Sequence, residues 1–247
     1  MASKHVLIGS ARIDENGHAT GGKAGDQTGK EVSTQNWYKH SKGWRVFRAK
    51  SAEVANKIAQ DMEYACKNNN IGYDQNQRGT LYTVSKSVGF DCKKVKEKCE
   101  TDCSALVRVC CAYAGIMLPN FRTSDEAKTL LNSGAFIEMK GAKYTDSENY
   151  LCRGDILVTA TKGHTVVVLN SGKYADEQPT EFTQVLVTGG SVYVRSAPDV
   201  KTGKVLGVVH KGDMLPYGGK TSDNNWYLVE YKNMNGWISG KYSILSN

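Results

Sequence analysis

From about residue 183 onward the chain is a succession of short β-prone runs broken by Gly, Asn, Asp and Pro. The runs fall at residues 184–188, 191–195, 204–209, 213–217, 226–231 and 236–239. Strands this short and this closely spaced leave no room for crossover helices, so each must pair with its neighbours, which predicts a small all-β barrel. The stretch before it, residues 173–182, is polar, carries one proline and has no hydrophobic period, as a linker does. Two units are therefore expected, residues 1–172 and residues 183–247.

The first unit has a different texture. Val54, Ala55, Ile58, Ala59, Met62 and Ala65 recur at helical spacing over residues 51–66, with Ser51 placed to cap the helix. A second helix is expected from near Asp102 to Ala114, closed by Gly115, and a third over residues 124–132 with Asp125 and Glu126 in its first turn. Apolar strands follow at residues 155–161 and 164–170, so this unit is α+β, with helices packed on an antiparallel sheet. Residues 1–80 alternate strand-like runs with turns and read as an N-terminal extension of that unit. Their Gly-rich segment 21–29 is expected to be a flexible polar loop. Near Trp37 and Trp44 it lines a substrate groove or simply joins two strands.

The net charge is +7, which favours an anionic partner such as nucleic acid, acidic lipid or an acidic wall polymer. Nucleic acid is disfavoured, because the densest basic run, Lys93, Lys94, Lys96 and Lys98, is broken by Glu97 and reads as a solvated face. No segment offers the roughly 20 apolar residues that a spanning helix needs, so no membrane insertion is expected. The opening residues lack the basic and apolar regions of a secretory signal, so synthesis in a cytoplasm is expected. The seven cysteines are odd in number, and the adjacent Cys110 and Cys111 sit in an apolar helical run that suits core packing. Cys92, Cys99 and Cys103 have no CxxC spacing, so neither a metal nor another cofactor is expected. The chain is expected to be a monomer.

Chemistry concentrates at two places. Asp102-Cys103-Ser104-Ala-Leu-Val107 places a cysteine, flanked by polar residues, at an exposed helix start. Unpaired N–H groups and the helix dipole favour a thiolate there. Gly163-His164-Thr-Val-Val places a histidine at the mouth of a buried strand; the other histidines lack both the preceding glycine and the following strand. A thiol and an imidazole that can share a proton are the minimum apparatus for acyl transfer. Cys103 is thus the nucleophile candidate and His164 the base. Asp102 reads as a helix cap without a catalytic role, and Ser104 as structural.

Three islands of the first unit resemble the NlpC/P60 group of papain-like peptidoglycan hydrolases, especially its phage endolysin amidases. They are Ile71-Gly72-Tyr73-Asp74-Gln75, Thr101-Asp102-Cys103-Ser104-Ala105-Leu106-Val107 with alanine where the group has glycine, and Arg153-Gly154-Asp155 together with Gly163-His164. The resemblance implies a papain-like fold, substrate contacts from Tyr73, Asp74 and Gln75, and a third polar residue that orients the histidine. Asn170 is the best candidate for that residue, on one strand face with His164, or else it is a turn residue in Asn170-Ser-Gly172. Tyr73 is expected to bind the scissile carbonyl or polarise the oxyanion, or else to be a half-buried loop residue. In the second unit, Val192-Tyr-Val-Arg195-Ser-Ala-Pro198, Gly207 to Asp213, Trp226-Tyr-Leu-Val229 and Gly236-Trp237-Ile resemble a bacterial SH3 domain. That likeness implies wall binding, with Tyr193, Trp226 and Trp237 as candidate contacts among the aromatics. Bacterial peptidoglycan is then the partner, reached from the host cytoplasm after release through a holin. The bond cut is N-acetylmuramoyl–L-alanine or, on the same machinery, D-γ-glutamyl to diamino acid. A non-catalytic wall binder and an intracellular cysteine peptidase are the competing classes.

Overall fold

The strand that follows His164 is buried on both faces, and the chain covers it by returning its own N-terminus to that sheet. The computed structural model describes residues 5–161, 163–175, 183–222 and 224–246. In chain order the first unit contains β1 (Leu7–Ala11), β2 (Val32–Asn36), β3 (Trp44–Ala49), α1 (Ala52–Ala65), β4 (Ile71–Tyr73), α2 (Thr80–Lys86), β5 (Cys99–Thr101), α3 (Cys103–Tyr113), α4 (Thr123–Asn132), β6 (Phe136–Met139), α5 (Ala142–Thr145), β7 (Ile156–Thr159) and β8 (Thr165–Val168). Six strands form an antiparallel sheet in the order β2-β1-β8-β7-β3-β6, and β4 pairs with β5 in parallel beside it. Ile8 lies opposite Val168 and Gly9 opposite Val167. Residues 1–80 are therefore not appended to the core: β1, β2 and β3 are half of the sheet that carries the histidine.

The helices take the faces their sequences dictate. α1 turns Ile58, Ala59, Met62 and Ala65 inward, and the Ser51 hydroxyl accepts from the Val54 N–H at 3.4 Å as its cap. It rests close on β1 because Gly9 has no side chain; a Cβ there would stand 2.7 Å from Met62 Cγ. α3 is apolar nearly all round, with Leu106, Val107, Val109, Cys110 and Cys111 fully buried, as a helix at the centre of a core must be. It packs against α1, α2, β1 and β8. Truncating Leu106 to alanine there costs about 2–5 kcal/mol.

The expected flexible loop at residues 21–29 is instead pinned. Gly25 donates to the Cys99 carbonyl at 3.3 Å, and the Asp26 carboxylate accepts from the N–H groups of Thr28, Gly29, Glu31 and Val32. Gly72 makes the approach possible, since a Cβ there would fall 2.6 Å from the Gly25 carbonyl oxygen.

The second unit is all β: β9 (Gln184–Val187), β10 (Ser191–Arg195), β11 (Val205–His210), β12 (Met214–Thr221), β13 (Trp226–Tyr231), β14 (Met234–Ser239) and β15 (Ser243–Ser246). Their order is β11-β10-β14-β13-β12-β9-β15, so the last strand returns to pair with the first of this unit. Val185, Val187, Val194, Val209, Val229 and Ile238 form its core. Of the expected linker, residues 176–182 lie outside the described residues.

Candidate active site

Cys103 is the first residue of α3, and Asp102 is its cap, accepting from the Ala105 N–H at 2.7 Å. The Asp102 charge is paired. Arg78 donates to it from Nε at 2.5 Å and Nη2 at 3.2 Å, and reaches on to Ser104 Oγ, Asn120 Oδ1 and the Phe121 carbonyl. Both Arg78 and Asp102 are buried, so this pair fixes the start of α3. Asp102 and Ser104 are thus structural, as their positions beside the cysteine suggested.

The thiol itself is not open to solvent as a helix start implied: Cys103 is 8% exposed, though Cys110 and Cys111 behind it are fully buried. The backbone N–H groups of Thr165 and Ser104 lie near enough to its sulfur to favour the thiolate slightly. Thr165 follows His164 directly, so β8 brings the cysteine and histidine segments together. Burial, then the charges of Asp102 and Glu126, push the thiol well above its ordinary range, and the two N–H groups only partly oppose them. Burial, then His40 and Arg12, press the His164 imidazole down to about 4. Both shifts favour the uncharged forms, a neutral thiol and a neutral imidazole.

His164 Nε2 lies 3.3 Å from the hydroxyl of Ser10, a buried residue of β1. Asn170 does not meet the imidazole. It is six residues along an extended strand, about 20 Å away. Its amide is engaged elsewhere, Oδ1 accepting from the Leu7 N–H at 2.6 Å and Nδ2 donating to the His5 carbonyl at 3.3 Å. The polar partner of His164 comes from the strand beside β8 in space, which is the N-terminal one. No spacing in the sequence pointed to Ser10. Glu126 was equally hidden: it read as a dipole-favouring residue of α4, yet it is fully buried, with Oε1 accepting from Thr165 Oγ1 at 2.8 Å. Burial pushes its carboxyl far up.

Tyr73 is 4% exposed and close enough to Cys103 for the two to interact electrostatically; burial above all pushes its phenol up to about 12. Gln75 donates to the Tyr73 hydroxyl at 3.0 Å. Asp74 is spent on the backbone, accepting from Gly21 at 2.7 Å, Asn76 at 2.5 Å and Gln77 at 3.1 Å, which makes it a loop brace rather than a substrate contact. On the other side, Tyr38 interacts with Cys103 and packs edge-on against Trp44, and the His40 ring lies tilted against Tyr38 and edge-on to Trp44. Among the described residues no group of three or more His, Cys, Asp or Glu is placed to hold a metal ion, and all seven cysteines are free thiols.

In the second unit Tyr193 is 53% exposed and Trp237 half-buried, with Lys220 over its ring at 6.0 Å. Trp226 is only 7% exposed, so its ring serves packing, as a small barrel requires of its large side chains, and is withdrawn from any ligand face.

A mixed helix-and-sheet unit is thus followed by a separate all-β unit of seven strands. An endolysin-like domain matches residues 8–175 and a bacterial SH3 domain matches residues 190–243. The first match spans more than half of the chain, which belongs to the endolysin-like domain family. That combination is the make-up of a phage-type peptidoglycan hydrolase with a cell-wall-binding module. No curated protein and no solved structure matches the chain. Among the described residues no helix is long and apolar enough to cross a membrane.

Proposed function

We propose that the first unit cuts an amide bond of peptidoglycan through a Cys103 thioester, in the manner of the papain-like NlpC/P60 hydrolases. The observation that supports this reading is the nearness of the Thr165 backbone to the Cys103 sulfur, since Thr165 directly follows His164 in the chain. In the first step His164 takes the thiol proton as sulfur attacks the carbonyl carbon, so a resting ion pair is not required. The tetrahedral oxyanion is held by the Cys103 backbone N–H at the start of α3 and by the Tyr73 hydroxyl. The latter already accepts from Gln75 and keeps its own proton to donate. The amine then departs with the proton from His164. Water, deprotonated by the same imidazole, attacks the thioester and releases the acid and the free thiol. Ser10 holds the imidazole through Nε2.

The preferred bond is N-acetylmuramoyl–L-alanine, with D-γ-glutamyl to diamino acid as the alternative. The SH3 unit, through Tyr193 and Trp237, keeps the enzyme on the wall and raises its local concentration there. Synthesis in the host cytoplasm and passage through a holin complete the proposal. Clearing of a bacterial wall suspension by wild type and not by Cys103→Ala is the expected result; equal clearing by both removes the cysteine from the mechanism. Mass spectrometry of the fragments then names the bond. A new N-terminal alanine marks the amidase, and a new γ-glutamyl carboxylate marks the endopeptidase.

A further inference from the structure

Beside the start of α3 lies a second cleft of about 390 Å³, lined among others by Gln75, Arg78, Tyr82, Arg108, Asn120 and Arg122. It adjoins the candidate site through two residues. Ala105 lies two positions after Cys103, and Gln75 donates to the hydroxyl of Tyr73. The charge of Arg78 is consumed by Asp102. The other two guanidiniums are not consumed: among the described residues neither Arg108 nor Arg122 has an ion-pair partner. Arg108 is held rigid, its Nε donating to the Leu118 carbonyl at 3.0 Å and its plane lying 3.6 Å from the Tyr82 ring centroid. That hold leaves its two terminal nitrogens unspent. Asn120 accepts from Arg78 with Oδ1 and keeps its amide N–H groups. Asp125 also lines the cleft, accepting from the Ser124 hydroxyl, so one negative charge faces two free positive ones.

We propose that this cleft is a carboxylate subsite, in which Arg108, Arg122 and the Asn120 amide hold a free carboxylate of the peptide whose amide is cut at Cys103. Planar guanidiniums with unspent donors match the two oxygens of a carboxylate, and a preset arginine loses little freedom on binding one. The inference rests on the hydrolase reading for the identity of the peptide. It predicts that the enzyme prefers stems whose glutamyl residue next to the cut is a free acid over stems in which it is amidated.

The test is calorimetric titration of full-length Cys103→Ala protein with two synthetic muramyl tripeptide amides, muramoyl-L-alanyl-γ-D-glutamyl-L-lysinamide and its γ-D-isoglutaminyl counterpart, which differ only in whether the glutamyl α-carboxyl is free or amidated. The acid is expected to bind about tenfold or more tightly, and Arg122→Gln in the same background is expected to abolish the difference. Equal affinities, no measurable binding of either peptide, or a preference that survives Arg122→Gln would each overturn the subsite. So would glycerol 3-phosphate binding better than the acid peptide, which would assign the cleft to phosphate polymers. Wall clearing by wild type is scored separately. Clearing without discrimination rejects the subsite and keeps the hydrolase; discrimination without clearing does the reverse.

Discussion

Glu100 stands three residues before Cys103, on β5, and neither of its carboxylate oxygens accepts a hydrogen bond although the residue is 3% exposed. Burial, and then the charges of Glu31, Asp74, Glu15 and Asp14, push its carboxyl from 4.5 to about 8. Between those values the folded chain keeps a proton that the unfolded chain has released. Stability must therefore fall as pH rises through that window and level off above it. At about 1.4 kcal/mol per pKa unit, the loss accumulated by pH 9 is about 3–5 kcal/mol. Glu100→Gln keeps the volume and removes the titration. At pH 5 variant and wild type should unfold in urea at nearly the same midpoint; at pH 9 the variant should be more stable by about 3–5 kcal/mol. The second unit is unaltered, so the difference between the two proteins reports on the first. Parallel stability curves from pH 5 to pH 9 would mean that Glu100 ionises freely, and the reasoning about its burial would fail.

Ser10→Ala should lower kcat about five- to tenfold, the equivalent of one hydrogen bond of about 1 kcal/mol, with KM for wall fragments little changed. Unchanged kcat would remove Ser10 from the site. With His164 pressed down to about 4, the acid limb of kcat/KM should lie well below the ordinary histidine value of 6.5, because the base stays neutral as pH falls. A limb at 6.5 or higher in a pH–rate profile would contradict that burial. Asn170→Ala should leave kcat within about twofold and cost about 1 kcal/mol of stability, since its amide bonds only the Leu7 and His5 backbone. A loss of catalysis without a loss of stability would restore it as a catalytic residue. Arg78→Ala strands the buried Asp102 charge and should cost about 3–5 kcal/mol, read as a lowered thermal midpoint.

The parts of the fold legible in the sequence were those fixed by local physics. Helix period placed α1 and α3 within a residue or two, the cap at Asp102 and the stop at Gly115 were written in their side chains, and short runs at close spacing announced the strands of the second unit. What stayed hidden depends on pairing between distant segments. Nothing in Leu7–Ala11 says that this strand lies beside Thr165–Val168, so Ser10 was invisible and Asn170 took its place. Asp74 misled for a related reason. A carboxylate in a motif looks functional until the backbone donors of Gly21, Asn76 and Gln77 are seen to occupy it. Trp226 was indistinguishable from Tyr193 as an aromatic in a barrel, and only burial separates them.

The same burial decides how the candidate pair must work. A helix start alone argues for a standing thiolate, yet the dipole is a modest effect, about 0.3–1 kcal/mol near a surface. Full desolvation of a charged group outweighs it. Around Cys103 the desolvation is reinforced by the carboxylates of Asp102, which Arg78 pairs, and of Glu126, which accepts from Thr165. The imidazole is disfavoured as a cation by the same closed surroundings and by His40 and Arg12. Under the proposed mechanism, charge separation between Cys103 and His164 becomes favourable only as a carbonyl accepts the electrons of the sulfur. In that reading the geometry of the Cys103 backbone N–H and the Tyr73 hydroxyl, which receive that charge, governs the rate more than the acidity of the thiol does.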